Sequence, residues 1–379
     1  MRETTSAKIG VIGGAIAGLS AALAIADAGH QLVIFGRVPP HLSGALQLAP
    51  NGFKALKDLC ALDALMPSMT RLNAIEIRSA RTNSCLSVLD HDNPQRRDYA
   101  AIGRGALCDG LHKLARAHKA ISFCDEMVTD IICTNDTTSL VTDKATHHSF
   151  DLIIGADGKD GLARKVIGAS DENANITRQA LRASVPAASL PRHFSTPRTQ
   201  LWLGNGYHLV SYPFFDSIAD EMMVNLVICT PASPKQAPQI LSELLAKRPV
   251  LAPLCDGKIS WYKTPLPPAN QIATWRKNGL VLIGDGAHFM PPHLAQGAGQ
   301  TLEDAATLKA ALTGVSDIKQ AAAKWALMRQ RALSPIIEQA EATGAMMRLS
   351  GPFAMLRNAA VELGGHRLVE KWMTKVWNA

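Results

Sequence analysis

The sequence predicts an α/β fold in three parts: a Rossmann-like domain built on a parallel sheet, an inserted lobe of antiparallel sheet, and a helical C-terminus. Three stretches carry that reading. Residues 8–35 read as strand, Gly-rich turn, Ala-rich helix and second strand, which is about the thirty residues of one nucleotide-binding βαβ unit. Residues 280–305 run through an apolar strand, Gly-Asp, a Pro-Pro bend and a Gly-rich turn that opens a helix. From about 177 to 263, short alternating segments replace the buried strands, as in an antiparallel sheet.

Taken in order, Lys8–Ile12 is the first strand, Gly13, Gly14, Ala15 and Gly18 belong to the turn, and Leu19–Ala28 is the helix, ended by Gly29. In the GxGxxG frame Gly13 allows the tight turn and Gly18 allows close helix–strand packing. The middle glycine is replaced by Ala15, whose methyl narrows the approach of a pyrophosphate. Gln31–Phe35 is the second strand. The acidic residue expected after it is replaced by Gly36, followed by Arg37.

Residues 38–51 read as a Pro-containing loop and the entry to a helix at Pro50–Leu59. A hairpin is expected at Ile75–Ser79 and Ser84–Leu89. Arg104 opens a helix with Leu107, Leu111 and Leu114 on one face. Strands follow at Glu126–Cys133 and Ser139–Thr142, and Phe150–Gly155 is a buried strand that runs into Ala156-Asp157-Gly158. The alternating lobe has segments at Ala180–Ser184, Thr199–Leu203, His208–Pro213 and Met222–Cys229, with one helix at Pro238–Ala246. Helices follow at Ile318–Met347 and Ala354–Leu363. The resulting division is a discontinuous first domain (1–72, 98–176 and 268–320), a second domain (73–97 and 177–267) and C-terminal helices (321–379).

The net charge of +7 suits anionic cofactors and substrates, and the scatter of Lys and Arg argues against nucleic acid. Seven cysteines without a CxxC pair read as reduced, mostly buried thiols of a cytoplasmic protein. The twelve histidines offer no HExxH or other zinc spacing, so no metal is expected. Glycines at 10, 13, 14 and 18 interrupt the apolar run 9–29, which therefore reads as strand–turn–helix and not as an integral membrane segment.

Several side chains are candidates for a site. Asp157 and Asp285 follow apolar strands at the carboxyl ends, where open α/β sheets bind ligands; capping of the next helix is the other reading. His208 and Tyr212, four apart in a strand, share a face, as any half-buried pair at that spacing would. His293, beside Pro292 in a loop, reads as a pocket residue. His288 reads as structural and bonded to backbone. Gln47 reads either as facing a ligand or as a plain helix-entry residue.

Together these motifs resemble the single-component FAD-dependent aromatic hydroxylases of the para-hydroxybenzoate hydroxylase fold, within the salicylate and 6-hydroxynicotinate hydroxylase-like branch. GGAIAGLSAAL, GALQLAPNG, the Arg104 helix, DLIIGADGKDGLAR, HLVSYP and LIGDGAHFMPPHLAQGAGQTLEDA fall in the family's order and spacing. RLSGPFAMLRNAA at 348–360 fits the same branch, so the resemblance spans nearly the whole chain.

The resemblance implies a monooxygenase that hydroxylates a small aromatic or N-heteroaromatic substrate with O2 through a flavin C4a-hydroperoxide, NAD(P)H being a transient co-substrate. No later GxGxxG follows a strand, which agrees with a transient dinucleotide. It further implies that Gly13, Gly14 and Gly18, with Ala15 and Arg37, surround the FAD pyrophosphate, and that Arg104 contacts its phosphates. Met127 or Val128 would border the adenine, and Asp157 and Gly158 would serve FAD and NAD(P)H. Asp285 would accept from the ribityl or ribose hydroxyls. Pro292, Gly297, Ala298 and Gly299 would meet the flavin edge, and His208, Tyr212 and His293 would act on the substrate. The departures at Ala15 and Gly36 both concern the adenosine half, which predicts looser FAD binding than the family's norm. An oxygenase of larger polyketide-like molecules and a non-catalytic flavin-binding protein are the alternatives. A monomer and a homodimer are both compatible with the helical C-terminus.

Overall fold

The first strand, Lys8–Ile12, lies between Gln31–Phe35 and Leu152–Gly155, and all three run parallel. They belong to a six-stranded sheet that continues through Leu280–Leu282 to Arg276–Lys277 on one side and ends at Ile121–Cys124 on the other. Only Arg276–Lys277 runs antiparallel to its neighbour. Ile9, Val11, Leu152, Ile153, Ile154 and Leu280 are completely buried, because helices cover both faces of the sheet. Hence these strands are apolar runs without alternation. The structure is a computed structural model and describes residues 6–37, 39, 42–92, 97–134, 138–168, 176–268 and 272–377.

Parallel pairing brings the carboxyl ends of four strands to one edge. The turns Gly13–Ala15, Gly36–Arg37, Ala156–Gly158 and Gly284–Asp285 therefore gather at that edge. Two helices start there, Ile16–Asp27 and Gly297–Leu312, and neither has a side-chain cap on its first N–H groups.

The second sheet has seven strands, in the order Tyr262–Leu266, Arg178–Pro186, Glu221–Pro231, His208–Asp216, Thr199–Leu203, Ala74–Ser79 and Cys85–Asp90. It is antiparallel except between Thr199–Leu203 and Ala74–Ser79. Its register aligns Ile77, Leu201, Val210, Val227 and Arg182 in one row across five strands. His208 lies directly opposite Cys229 in the next row. Side chains alternate between faces. The intervening residues Leu181, Trp202, Leu209, Leu226 and Ile228 form a separate core, closed by Ile240 and Leu241 of the helix Ala237–Leu245.

A three-stranded sheet, Ala45–Leu48, Ala100–Gly103 and Met69–Arg71, sits between the two. The sequence reading made residues 38–49 a loop, and the structure corrects this for 45–48. The strand Ala45–Leu48 has four residues, too few to show a period; pairing with Ala100–Gly103 makes it a strand.

The helix Ile318–Met347 begins at Asp317, whose carboxylate accepts from the Gln320 N–H at 2.9 Å. The last helical segment spans Pro352–Trp377 and turns at Gly365 (φ 55°, ψ −154°), well beyond the expected end at Leu363. The thiols are less buried than expected: Cys108 and Cys229 are buried, Cys60 and Cys85 exposed, and the other three half-buried. Among the described residues no helix is long and apolar enough to cross a membrane.

Candidate active site

A cavity of about 810 Å³ runs from the strand ends of the first sheet to the face of the second. At its first end, the glycine turn is built for close approach. Gly13 has φ +112°, and a Cβ there would lie 2.4 Å from the Ala156 carbonyl oxygen. A Cβ on Gly14 would lie 2.9 Å from the carbonyl oxygens of Gly36 and Arg37. Gly13, Gly14 and Ala15 line the cavity, with the start of the helix Ile16–Asp27 behind them. Arg37, Arg104, Met127, Val128, Asp157, Gly158 and Asp285 line it too. Asp285 is exposed toward this space. The Asp157 carboxylate has one oxygen on the Ala163 N–H at 3.0 Å, so it caps the helix Leu162–Ile167; its other oxygen is buried without a partner. Burial pushes its pKa up.

Two glycines expected at the cofactor, Gly18 and Gly299, are not among the residues that line this cavity. A Cβ on Gly18 would meet the Gly13 carbonyl oxygen at 1.8 Å, so Gly18 closes its own turn. Gly299 packs against the Asn51 side chain, 3.2 Å from where a Cβ would stand. By contrast, Pro292, His293, Gly297 and Ala298 do line the cavity. The first N–H groups of the helix Gly297–Leu312 are free to face an anionic group there.

At the second end, the sheet supplies the floor: Ile75, Ile77, Thr199, Leu201, His208, Val210, Tyr212, Val227, Cys229 and Arg182 all line it. His208 and His293 approach each other edge to face, with ring centroids 5.2 Å apart. The Nδ1 of each is buried and unpartnered. Burial, then mutual proximity and the guanidinium of Arg348, hold the His208 imidazole well below its ordinary pKa. Burial together with Arg348 and Arg178 brings His293 to about 3. Both rings are therefore neutral at physiological pH.

Tyr212 lines the same floor, but its hydroxyl donates to the Ala45 carbonyl oxygen at 2.9 Å. It joins the sheets and leaves no free donor for a ligand. Burial pushes its phenol up to about 12. Gln47 lines the cavity from the strand Ala45–Leu48, and its amide oxygen accepts from the hydroxyls of Tyr99 (2.7 Å) and Thr199 (2.6 Å).

His288 is structural as expected, yet its partner is a carboxylate and not the backbone. Its Nε2 lies 2.5 Å from Asp304 Oδ2, and Arg329 Nε bonds the other oxygen at 2.9 Å. The sequence reading also missed Cys229, Arg182 and Thr343, and it missed Val369, Trp372 and Met373, which line the cavity from the C-terminal helix. Alternation could have indicated Cys229 and Arg182; nothing local marks the other four.

Residues 6–327 match the family described as FAD binding domain. The chain belongs to that family. The residues fit the cofactor: a glycine cradle with no room for side chains, two guanidiniums, two uncapped helix starts and an exposed carboxylate share one cavity. The chain is 25% identical to 3-hydroxybenzoate 6-hydroxylase from Klebsiella oxytoca, over 92% of this chain and 90% of that one. It is 29% identical to 3-amino-4-hydroxybenzoate 2-monooxygenase from Streptomyces cremeus, over 79% and 77%. Its fold is that of Klebsiella pneumoniae HpxO complexed with FAD and uric acid (TM-score 0.82, 18% identity, 98% and 96% covered). A salicylate hydroxylase substrate complex is similar (TM-score 0.80, 20% identity, 99% and 96% covered). This FAD-binding chain is a monooxygenase of the aromatic-hydroxylase type.

Proposed function

We propose that the chain hydroxylates a single small ring, aromatic or N-heteroaromatic and bearing a hydroxyl, that lies on Val210 and Val227. The observation that carries this reading is the pair of neutral imidazoles, His208 and His293, whose Nδ1 atoms are buried without partners at the sheet end of the cofactor cavity. A neutral imidazole nitrogen can accept a hydrogen bond from the ring hydroxyl, and that increases electron density at the carbon to be attacked. Gln47 and Thr199 offer polar contacts on the same floor, and Val369, Trp372 and Met373 exclude water. The acids named for the two curated relatives, a hydroxybenzoate and an aminohydroxybenzoate, support this substrate class.

FAD, when bound, supplies the activation of O2, with NAD(P)H as reductant. The chain's own work is positional. Gly13, Gly14, Arg104 and Asp285 hold the cofactor, the start of the helix Gly297–Leu312 faces negative charge, and the sheet floor orients the ring. The balance is ring C–H plus O2, NAD(P)H and a proton, giving ring C–OH, NAD(P)+ and water. The test is a panel of hydroxybenzoates and hydroxypyridines with NADH and NADPH, followed by mass spectrometry. A substrate-stimulated oxidation with a product heavier by one oxygen is expected. Oxidation unchanged by every ring, with no oxygenated product, would refute the reading.

A further inference from the structure

We propose that His208, Cys229 and His293 form a transition-metal site inside the substrate pocket, and that a borderline-soft divalent ion such as Zn2+ bound there excludes the aromatic ring. The three residues are buried, and their candidate donor atoms all lie within 4.8 Å of one another. Two come from neighbouring strands at directly paired positions, His208 opposite Cys229. The third reaches over from the turn Pro292–Leu294. The Nδ1 atoms of both histidines are buried without partners, and the Cys229 thiol makes no hydrogen bond among the described residues. Residues 21 and 85 positions apart in sequence meet here, which a search for local zinc spacings does not detect.

Two imidazole nitrogens and one sulfur are ligands that zinc accepts, and three protein ligands leave a fourth position toward the cavity. Neutral imidazoles bind without first losing a proton. The thiol must lose one: Zn2+ replaces the proton on Sγ, a Zn–S bond forms, and the proton goes to solvent. No electron is transferred.

The surroundings set a limit on affinity. Arg178 forms a bidentate pair with Glu341, at 2.7 and 2.8 Å, yet its charge still acts on His293, and Arg182 acts on the Cys229 thiol. Arg348 is not so paired among the described residues; its Nη1 lies 3.5 Å from His293 Nε2, and its charge opposes a dication. A second group, Cys124, Glu126 and His148, is only half-buried. Glu126 there already accepts from Thr142 at 2.6 Å and faces Lys144 and His148, so this group serves as a control.

The binding claim stands on geometry alone; only its effect on turnover rests on the hydroxylase reading. The full chain, stripped with a chelator, is titrated with ZnCl2 in buffer that holds excess FAD. One high-affinity Zn2+ per chain is expected, with X-ray absorption showing one sulfur at about 2.3 Å and two nitrogens at about 2.0–2.1 Å. Cys229→Ser should weaken binding about tenfold or more, since loss of even an outer partner costs about 10- to 100-fold. His293→Asn, on a loop, should do the same and guards against a folding defect in the strand variant. Arg348→Gln should tighten binding, and Cys124→Ser should leave it unchanged. Zn2+ should raise KM for the ring substrate without lowering kcat. A shell without sulfur, or equal retention by wild type, Cys229→Ser and His293→Asn, would overturn the site. Zinc bound as described by a protein that oxygenates no ring would instead count against the hydroxylase reading alone.

Discussion

The Tyr212 hydroxyl donates to the Ala45 carbonyl oxygen at 2.9 Å, tying the seven-stranded sheet to the small sheet that carries Gln47. A tyrosine in a substrate pocket invites a catalytic role, but this hydroxyl is already engaged. Tyr212→Phe should therefore lower stability by about 0.5–1.5 kcal/mol, the net worth of one hydrogen bond. Turnover of a good ring substrate should change little. A urea titration beside steady-state kinetics checks both, and a collapse of kcat with unchanged stability would restore Tyr212 to the chemistry.

The glycine cradle makes a sharper demand. Gly13→Ala places a methyl group 2.4 Å from a backbone oxygen at φ +112°. A strain of about 1–3 kcal/mol is expected from the dihedral alone. The variant should purify without bound flavin, as read from its visible spectrum. Wild type, in turn, should lose FAD on long dialysis. Gly36 offers no carboxylate to the adenosine half, and a lost charged acceptor costs about 1.5–3 kcal/mol, roughly ten- to a hundred-fold in Kd. The φ of +107° at Gly36 explains why simple replacement by Glu should not repair this: a side chain is strained there. Stoichiometric FAD after dialysis would refute the expectation.

Asp304 is expected to contribute to acid stability. Burial alone would raise its pKa, but His288, Arg329 and the Gly284 N–H overcome that and hold it below the ordinary value. A carboxyl with a depressed folded-state pKa contributes stability that is present above its unfolded value near 3.8 and lost as pH falls through the folded one. Asp304→Asn should flatten that acid limb in a plot of unfolding free energy against pH. At neutral pH it should cost about 3 kcal/mol, the low end for breaking a buried pair, because Glu303 still faces Arg329 at 3.0 Å.

Gly365 turns the last helical segment, and Val369, Trp372 and Met373 then line the cavity. Its φ and ψ lie in a region nearly closed to residues with a Cβ. Gly365→Ala should cost about 1–3 kcal/mol locally. It should also raise KM for the ring and increase NAD(P)H oxidation without hydroxylation, since water then reaches the pocket. Product formed per NAD(P)H consumed is the measurement, and an unchanged ratio would separate this helix from the pocket.

The cofactor half was legible because its signals are local. Gly13 and Gly14 lie in one turn, and Asp285 and His293 follow one strand, so spacing along the chain already implied spacing in the fold. The substrate half was legible only in its alternation. His208 and Tyr212 share a face as expected, but which oxygen takes the Tyr212 proton depends on a strand of four residues that has no period of its own. Cys229 joined His208 through cross-strand register, and Asp304 found His288 and Arg329 through helix packing. Such pairings are tertiary facts. Gly18 shows the packing role that its place in the turn implied, and Gly299 packs against the Asn51 side chain.

The two faces of the seven-stranded sheet interleave residue by residue, His208, Val210 and Tyr212 toward the cavity and Leu209 and Ser211 away from it. Shifting this strand by one position would exchange every pocket side chain for a core one. Point changes at alternate positions, by contrast, alter the pocket and leave the opposite core intact. Cavity side chains and the Leu209 core are thus set on interdigitated positions, with Tyr212 serving both the cavity wall and the join between sheets. An insertion or deletion of one residue in this strand would therefore cost both the cavity wall and the core at once.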